Sequence, residues 1–188
     1  MKKFAVFIDR DGVINYDPGN FHKIEELKIL PRVGEAIKLL NKEGIPAIVV
    51  TNQSVVARGW ITEAEVKKIN KKIENILGKD DAKITKFYYC PHHPNAKFSQ
   101  YCVVCDCRKP ATGMFEKASE EFNLDLKNSY IIGDSYREIE AAKNLGCKSI
   151  AVECGRSEFG DSKPDYKVKD LYEAVKLILF DYYPVAVG

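Results

Sequence analysis

The sequence lacks a long hydrophobic run. No segment approaches the roughly 20 consecutive apolar residues that a helix needs to cross a bilayer. Met1-Lys2-Lys3 gives the chain a basic start, but the apolar run Phe4 to Ile8 is too short for the core of a signal peptide and ends in Asp9-Arg10-Asp11. We therefore expect a cytoplasmic protein that is neither exported nor bound to a membrane.

An excess of charge of one sign is also missing. The 188 residues include 29 Lys and Arg and 27 Asp and Glu, so no broad basic surface is expected to follow a nucleic acid backbone. We find no repeat, low-complexity tract or linker. The chain is 45% apolar, and its length fits one hydrophobic core. We expect a single domain over residues 1–188, a monomer without a nucleic acid partner.

Cysteines are few, but they are clustered. Four of the six lie in one segment together with two histidines: Cys90, His92, His93, Cys102, Cys105 and Cys107. Three thiolates and one imidazole make up a closed tetrahedral zinc site, and Cys90-x-His92 with Cys105-x-Cys107 would supply them. His93 and Cys102 are alternative ligands from the same segment. This pattern favours a structural zinc ion in a reducing compartment over disulfides.

Apolar runs typical of strands alternate with stretches of helical period, which predicts an α/β fold with a doubly wound, Rossmann-like parallel sheet. The predicted strands are Phe4 to Ile8, Ile45 to Val50, Ile84 to Tyr89, Tyr130 to Ile132 and Lys148 to Val152. The predicted helices are Val33 to Glu43, Glu63 to Leu77, Met114 to Phe122, Glu138 to Leu145 and Leu171 to Phe180.

Capping residues mark the ends of these helices. Three helices stop at glycines that suit the positive φ of a C-cap, namely Gly44, Gly78 and Gly146. The predicted N-caps are Thr62, with Glu65 completing a capping box, Thr112 and Asp170.

Polar residues follow the predicted strands at the edge where ligands bind in parallel α/β sheets. Asp9 and Asp11 follow the first strand, Thr51 follows the second and Asp134 the fourth, while Lys109 precedes a helix. The carboxylates of Asp9 and Asp11 would repel each other without a divalent cation or a proton. Three carboxylates, a hydroxyl and an ammonium group together predict a magnesium site that binds phosphoryl oxygens.

These positions carry a resemblance to a known superfamily. Four ordered segments resemble the motifs of haloacid dehalogenase superfamily phosphatases: Phe7 to Ile14, Val50 to Gln53, Arg108-Lys109-Pro110 and Gly133-Asp134. Further segments are similar to the D-glycero-D-manno-heptose-1,7-bisphosphate 7-phosphatase and histidinol-phosphatase family: Ile14-Asn15, Ala57-Arg58-Gly59, Tyr88 to Pro94 and Cys105 to Pro110. The resemblance extends over Phe4 to Gly155.

The resemblance implies magnesium-dependent hydrolysis of a small phosphorylated sugar or metabolite through an aspartyl-phosphate. Asp9 would be the nucleophile, and Asp11 would protonate the leaving group and later activate water. Thr51 and Lys109 would hold the transferred phosphoryl group. The rest of the substrate would be bound by residues that match the motifs: Asn52, Gln53, Arg58 and Arg108.

The same resemblance implies two metal sites. Magnesium would be held by the carboxylates of Asp9 and Asp134 and by the backbone carbonyl of Asp11. The family pattern selects four ligands for the structural zinc: Cys90, His92, Cys105 and Cys107.

The sequence departs from the family pattern at three places. Ser135 stands where a lysine commonly follows Gly-Asp, Glu138 where aspartate is usual, and Val55-Val56 where Gly-Ile is common. The loss of the lysine affects the identity of the substrate more than the type of reaction.

A separate cap domain over the active site is not expected. The stretch from Gly12 to Pro31 is too short for one, and Ser54 to Arg108 already contains a helix, a strand and the zinc loop. The prediction is therefore a capless fold with a zinc-binding loop.

Two other functions remain open at this point. A histidinol-phosphate phosphatase would share every catalytic residue named above. A zinc-ribbon-like binding module would have no need for carboxylates around a cation, and its basic residues would be more clustered.

Overall fold

The computed structural model describes residues 3–182, which form a six-stranded, all-parallel sheet with helices on both faces. The strands are β1 (Val6–Ile8), β2 (Ala47–Asn52), β3 (Lys86–Cys90), β4 (Tyr130–Gly133), β5 (Lys148–Val152) and β6 (Tyr166–Val168). The helices are α1 (Val33–Lys42), α2 (Ser54–Ala57), α3 (Glu63–Leu77), α4 (Gly113–Phe122), α5 (Tyr136–Leu145) and α6 (Leu171–Tyr182). Short 3-10 helices lie at Ile24–Glu26, Gly78–Asp80 and Ser99–Tyr101.

The strand order is β3-β2-β1-β4-β5-β6. From β1 the chain builds the sheet outward through β2 and β3, then returns to the other side of β1 to add β4, β5 and β6. This reversal makes a topological switch point between β1 and β4, which is where such sheets bind ligands. The predicted doubly wound α/β fold is confirmed.

Strand β1 explains why the sheet is covered on both faces. All three of its residues are buried. Val6 and Ile8 pack into one apolar layer with α1, α3 and α6, whereas Phe7 packs into the other with α4 and α5. Because alternate side chains of a strand point to opposite faces, a continuous apolar run requires two layers of helices.

The C-terminal ends of the helices follow the glycine prediction at two of three places. Gly44 and Gly146 adopt positive φ values of 66° and 70°. The prediction for Gly78 is wrong, because this residue has a φ of −62° and continues into the 3-10 helix. Asp81 takes the left-handed conformation three residues later, with a φ of 57°.

The N-terminal ends agree with the sequence more closely. Thr62 and Glu65 form the predicted capping box, and Asp170 accepts a hydrogen bond from the backbone N–H of Glu173 at 3.0 Å. Thr112 occupies the N-cap position of α4, but its side chain makes no capping bond. Its hydroxyl donates to Glu116 Oε1 at 2.8 Å instead.

Strand β6, helix α2 and the short 3-10 helices were not predicted, and several bounds differ from the prediction. Strands β1, β2 and β3 each begin two residues later than expected, whereas α4 begins one residue earlier and α5 two. The edge strand β6 has three residues, none of them buried, so it lacks the apolar run that identifies the inner strands. Helix α2 is a single turn directly after β2. Helix α5 begins at Tyr136, two residues before the predicted start at Glu138.

No cap domain is inserted within residues 3–182, in agreement with the predicted capless fold. Residues 1–2 and 183–188 of the predicted domain lie outside the described part. Among the described helices, none is both long and apolar enough to cross a membrane.

Candidate active site

The carboxyl edge of the sheet carries a cavity of about 240 Å³. Asp9 reaches it from the end of β1, Thr51 from β2 and Asp134 from the end of β4. Lys109 reaches it from the long connection between β3 and α4. The structure thus brings the predicted catalytic residues of four chain segments together at the switch point of the sheet.

Lys109 is the most tightly held residue of the cavity. Its side chain is 2% exposed, and its Nζ lies 2.8 Å from Asp9 Oδ1, 2.7 Å from Glu138 Oε1 and 2.6 Å from the Val50 carbonyl. The Asn52 side chain binds the backbone of Lys109 through two hydrogen bonds. Its Oδ1 accepts from Lys109 N–H at 3.0 Å, and its Nδ2 donates to the Lys109 carbonyl at 3.1 Å. The ammonium group is therefore fixed beside the predicted nucleophile.

The charges around Lys109 are strongly coupled. Burial acts to lower the pKa of Lys109, but the carboxylates of Asp9 and Glu138 outweigh it and hold that pKa above its usual value. Burial likewise acts to raise the pKa of Glu138, yet the ion pair with Lys109 keeps it below the usual range. This pair is therefore charged in the folded protein.

The positive charge near Asp9 and Asp134 does not offset the effect of their burial. Burial, with Glu138 and Asp134 nearby, raises the pKa of Asp9 to about 7 despite its contact with Lys109. Burial also raises the pKa of Asp134 to about 6. Carboxylate oxygens of Asp9, Asp134 and Glu138 all lie within 4.8 Å of one another. Three hard oxygen donors with a single lysine between them suit a Mg²⁺ ion.

Asp11 is held by three neighbouring side chains. Arg10 donates to both of its carboxylate oxygens, from Nε and Nη2, at 3.0 Å each. Gln53 Nε2 donates to Oδ2 at 2.7 Å, and Asn15 Nδ2 donates to Oδ1 at 3.0 Å. Gln53 also donates to Thr51 Oγ1 at 2.9 Å. The carboxyl group is thus fixed in orientation while it still lines the cavity.

Arg10 was not singled out from the sequence as a functional residue. It is fully buried, and its remaining donors reach Asn70 Oδ1 at 2.9 Å and Gln53 Oε1 at 2.7 Å. A buried arginine needs such partners, because an unpaired buried charge is very costly. The signal available in the sequence was an arginine placed between two aspartates directly after a strand.

Two glycines allow the backbone to approach Asp134. Gly12 has a φ of 86°, and a Cβ on it would lie 2.2 Å from Asp134 Oδ2. A Cβ on Gly155 would lie 2.1 Å from the same oxygen. Arg156, the next residue, donates its backbone N–H to Asp134 Oδ2 at 2.7 Å, and its Nη2 pairs with Asp17 Oδ2 at 2.5 Å. Side chains larger than hydrogen at 12 and 155 would displace Asp134.

Basic side chains also line the cavity. Arg58 and Arg108, two of the predicted substrate-binding residues, lie here together with His93 and Arg137. Arg108 Nη1 donates to the His92 carbonyl at 3.0 Å, which joins it to the cysteine loop. Burial, and then the charges of Arg108 and Arg58, lower the pKa of His93. The other two predicted substrate-binding residues, Asn52 and Gln53, line the cavity but use their side chains on protein partners.

The departures from the family pattern at 135 and 138 are linked. Ser135 donates its hydroxyl to Glu138 Oε2 at 2.5 Å, while Glu138 Oε1 pairs with Lys109. The Glu138 side chain lies directly over Gly133, where an added Cβ would be 2.1 Å from Glu138 Cγ. Ser135 and Gly133 thus hold the glutamate in the orientation that reaches Lys109.

The cysteine loop gathers four ligand atoms next to β3. Cys107 Sγ lies 3.1 Å from Cys90 Sγ and 3.3 Å from His92 Nδ1, and Cys105 Sγ lies 3.7 Å from Cys90 Sγ. These atoms and those of the whole group lie within 4.8 Å of one another. Burial, together with the neighbouring thiols, raises the pKa of Cys90. Three soft sulfur donors and one imidazole suit Zn²⁺, which would hold the thiols as thiolates.

The two alternative zinc ligands lie apart from this group. The Cys102 thiol is exposed and donates to the Pro94 carbonyl at 3.0 Å. His93 Nδ1 accepts from the backbone N–H of Asn95 at 3.1 Å, and the ring faces the active-site cavity. The geometry therefore favours the ligand set implied by the family pattern.

Comparisons with known proteins agree with this picture. A family model described as HAD-hydrolase-like matches residues 106–174. D-glycero-β-D-manno-heptose-1,7-bisphosphate 7-phosphatases of Haemophilus ducreyi and Escherichia coli O6:H1 are 36% and 41% identical to the chain. The first match covers 95% of this chain and 100% of the relative, and the second 81% and 80%.

A crystal structure gives the same result. The D,D-heptose 1,7-bisphosphate phosphatase from B. bronchiseptica, complexed with magnesium and phosphate, aligns with a TM-score of 0.83 and 29% identity. The alignment covers 96% of this chain and 99% of that chain.

Fold and site together define a phosphohydrolase of the haloacid dehalogenase type. The identity to curated relatives over 80% or more of their length narrows the class of protein further. The chain belongs to the D-glycero-β-D-manno-heptose-1,7-bisphosphate 7-phosphatase family, which confirms the resemblance seen in the sequence.

Proposed function

We propose that this chain hydrolyses the 7-phosphate of D-glycero-β-D-manno-heptose 1,7-bisphosphate through an aspartyl-phosphate on Asp9. One observation carries the proposal. The cavity has a carboxylate and a buried lysine where a phosphoryl group would react. Its wall also carries arginines that form no ion pair within residues 3–182, namely Arg58, Arg108 and Arg137. It therefore offers places for two separate anionic groups. The names of the relatives support the choice of substrate.

In the first half-reaction a carboxylate oxygen of Asp9 attacks phosphorus, and the bond from phosphorus to the sugar oxygen breaks. Asp11, held toward the cavity by Arg10, Gln53 and Asn15, enters this step protonated and gives its proton to the leaving alkoxide. The products of this step are the sugar with a free hydroxyl group at that position and a phosphorylated Asp9.

In the second half-reaction Asp11, now ionised, takes a proton from a water molecule that attacks the phosphorus. The bond between phosphorus and Asp9 breaks, which releases inorganic phosphate and restores the Asp9 carboxylate. Lys109 and Thr51 hold the non-reacting oxygens of the phosphoryl group in both steps.

Two metal ions fit this scheme. Asp9, Asp134 and the backbone carbonyl of Asp11 would hold Mg²⁺, which offsets the negative charge that nucleophile and phosphoryl group share. Cys90, His92, Cys105 and Cys107 would hold a structural Zn²⁺ next to Arg108. We further propose that the enzyme acts as a monomer in the cytoplasm.

Arg108 is proposed to bind the second anionic group of the substrate. Its guanidinium lines the cavity and is held by the His92 carbonyl rather than by a carboxylate. An arginine can bind a remote phosphate through two hydrogen bonds, whereas Lys109 acts on the reacting phosphate as a point charge.

The Arg108→Ala variant tests this assignment. The kcat/KM for the bisphosphate should fall by roughly one to three powers of ten, as expected for loss of a charge-assisted contact, with little change for the matching monophosphate. Equal losses on both substrates would place Arg108 at the reacting phosphate, and no loss on either would make its role structural.

A phosphate-release screen with Mg²⁺ tests the proposed function as a whole. Its substrates are both anomers of the heptose 1,7-bisphosphate, heptose 7-phosphate, histidinol phosphate and a short phosphorylated oligonucleotide. The β-bisphosphate should have the highest kcat/KM, by about tenfold or more. A higher value for histidinol phosphate would replace the proposed substrate while keeping the mechanism. No hydrolysis of any ester would refute the assignment as a phosphatase.

A further inference from the structure

The basic residues that line the cavity differ in whether a carboxylate neutralises them. Lys109 pairs with Asp9 and Glu138, and Arg156 pairs with Asp17. Within residues 3–182, none of Arg58, Arg108 and Arg137 forms an ion pair, although all three line the cavity. Arg58 lies near the Trp60 ring, 5.2 Å from its centre. These three guanidinium groups are therefore not neutralised by a carboxylate and can bind a further anion.

Arg137 lies at the start of α5 and lines the cavity. It is the second residue of this ten-residue helix, three positions after Asp134. Its guanidinium is half-buried, 5.0 Å from the centre of the Tyr136 ring, and Nη1 lies 3.5 Å from Ser135 Oγ. The N-terminal turn of a helix adds a favourable field for anions. Apart from the weak contact with Ser135, its donors are available to a ligand.

Arg108 and Arg137 reach the same cavity from different parts of the chain. Arg108 comes from the connection between β3 and α4, and Arg137 from the start of α5. Two like charges that share a cavity repel each other, and a bound anion between them would remove that repulsion. The arrangement is therefore suited to a ligand with a phosphate group and unfavourable for a neutral ligand.

Ser135 and Arg137 have different partners at the start of α5. Ser135, the N-cap residue of this helix, donates its hydroxyl to Glu138 Oε2 at 2.5 Å. Arg137, two residues further along the chain, lines the cavity. The positive charge at this end of α5 therefore comes from position 137.

We propose that Arg137 is a specificity-determining residue, which together with Arg108 holds the non-reacting phosphate of a bisphosphate substrate. Lys109 holds the phosphate that is transferred. The inference rests on the proposed function and extends it to a residue outside the motifs. It requires the chain to prefer a sugar bisphosphate over the corresponding monophosphate.

The test compares Arg137→Gln with wild type on heptose 1,7-bisphosphate and on heptose 7-phosphate. For the bisphosphate, kcat/KM should fall about 10- to 100-fold, mainly through a higher KM, because a charge-assisted contact is lost. For heptose 7-phosphate it should change by less than about threefold. The monophosphate activity also reports whether the variant has folded.

Lys143→Gln is the matched control. It removes a positive charge from an exposed position near the other end of the same helix, outside the cavity. Both of its activities should stay at the wild-type level, which would separate a local contact from a general effect of charge. A loss in this variant as large as that in Arg137→Gln would overturn the proposal.

The remaining outcomes are also decisive. Equal losses of Arg137→Gln on both substrates, or no loss on either, would overturn the role of Arg137. A wild-type enzyme with equal kcat/KM for heptose 7-phosphate and for the bisphosphate would refute this inference but leave the phosphatase activity in place. A wild-type enzyme that hydrolyses neither would instead refute the proposed function.

Discussion

Asp9 and Asp11 are separated by one residue, yet their surroundings suit different tasks. Asp9 contacts Lys109 and lies among other carboxylates, so it is in the place of a nucleophile beside a cation site. Asp11 accepts hydrogen bonds from Arg10, Asn15 and Gln53, which fix its orientation. The division of roles implied by the sequence thus corresponds to two distinct sets of contacts.

Replacing Asp9 with asparagine should abolish turnover. The amide keeps the shape of the side chain but cannot accept the phosphoryl group. We expect kcat to fall by at least about a thousandfold in a phosphate-release assay with Mg²⁺, while circular dichroism shows an intact fold. Steady-state activity close to wild type would refute the covalent mechanism.

Arg10 gives a second prediction at this scale. Arg10→Lys keeps the charge but loses the fork that contacts both oxygens of Asp11. We expect kcat to fall about 10- to 100-fold and KM to change by less than about threefold. The reason is that the substitution disturbs the orientation of the acid–base group Asp11 but leaves the substrate-binding site intact.

Arg32→Lys is the control for Arg10→Lys. Its guanidinium is on the surface, 3.4 Å from Glu35 and over the Tyr172 ring, so kcat should not change. If Arg10→Lys raises KM and leaves kcat unchanged, Arg10 does not act through Asp11.

The proposed catalytic residues stand out in the sequence because they lie at strand ends, where polar groups follow apolar runs. Asp9, Thr51 and Asp134 are of this kind. Arg10 and Arg137 depend on tertiary contacts, with Asn70 on α3 in the first case and with the shared cavity in the second. Such contacts leave no periodic pattern. Arg10 is marked in the sequence only by its place between two aspartates after a strand, and Arg137 is not distinguished from an ordinary surface charge.

At the scale of elements, the cysteine loop connects a strand to the active site. Cys90 ends β3, and the carbonyl of Cys90 accepts from Gln53 N–H at 2.8 Å. Cys105 and Cys107 lead directly into Arg108 and Lys109. A metal ion held by this loop would therefore stabilise the positions of both basic residues.

Removing one thiol should show this coupling. Cys107→Ser is expected to lose a tightly bound zinc ion, to lower the melting temperature and to reduce kcat/KM together. Metal analysis of dialysed protein should give about one zinc per chain for wild type and much less for the variant. Loss of zinc without either of the other effects would refute the coupling between the loop and Lys109.

Cys102→Ser provides the matched control within the same loop. Its thiol is exposed and outside the group of four. The variant should keep its zinc, melting temperature and activity. If it loses zinc instead, Cys102 is a ligand and the proposed set is wrong.

Most strands and helices of the fold could be predicted, whereas the edge strand β6 and the one-turn helix α2 could not. Strand β5 has the predicted bounds, because five residues with a buried apolar core give a clear signal. Strand β6 is a partly exposed edge strand that exists through its pairing with β5. Its sequence alone resembles that of a loop, since the bonding partner that makes it a strand is distant in the chain.

At the scale of the whole molecule, the fold places several buried carboxylates close together at one edge of the sheet, which is electrostatically unfavourable. Burial alone would protonate some of these carboxylates, and Lys109 offsets the charge of only part of the group. The rest of the protein must supply the stability that this arrangement costs. A protein with such a site should depend on pH and on Mg²⁺ in a linked way.

The last prediction concerns stability without Mg²⁺. The pKa of Asp9 is about 7 and that of Asp134 about 6 in the folded chain, against an ordinary value of 3.8. Between pH 4 and 7 the folded state therefore binds more protons than the unfolded state. By linkage, the part of the free energy of unfolding that comes from these groups falls as pH rises through this window.

Thermal unfolding of protein dialysed free of Mg²⁺ should measure this slope, with Asp9→Asn as the comparison because an amide does not titrate. From pH 5 to pH 8, the melting temperature of wild type should fall relative to that of the variant. Excess Mg²⁺ should stabilise wild type more at pH 8 than at pH 5, since the cation binds ionised carboxylates. A difference that does not change with pH would mean that Asp9 is already ionised at pH 5, with Lys109 sufficient to hold its charge.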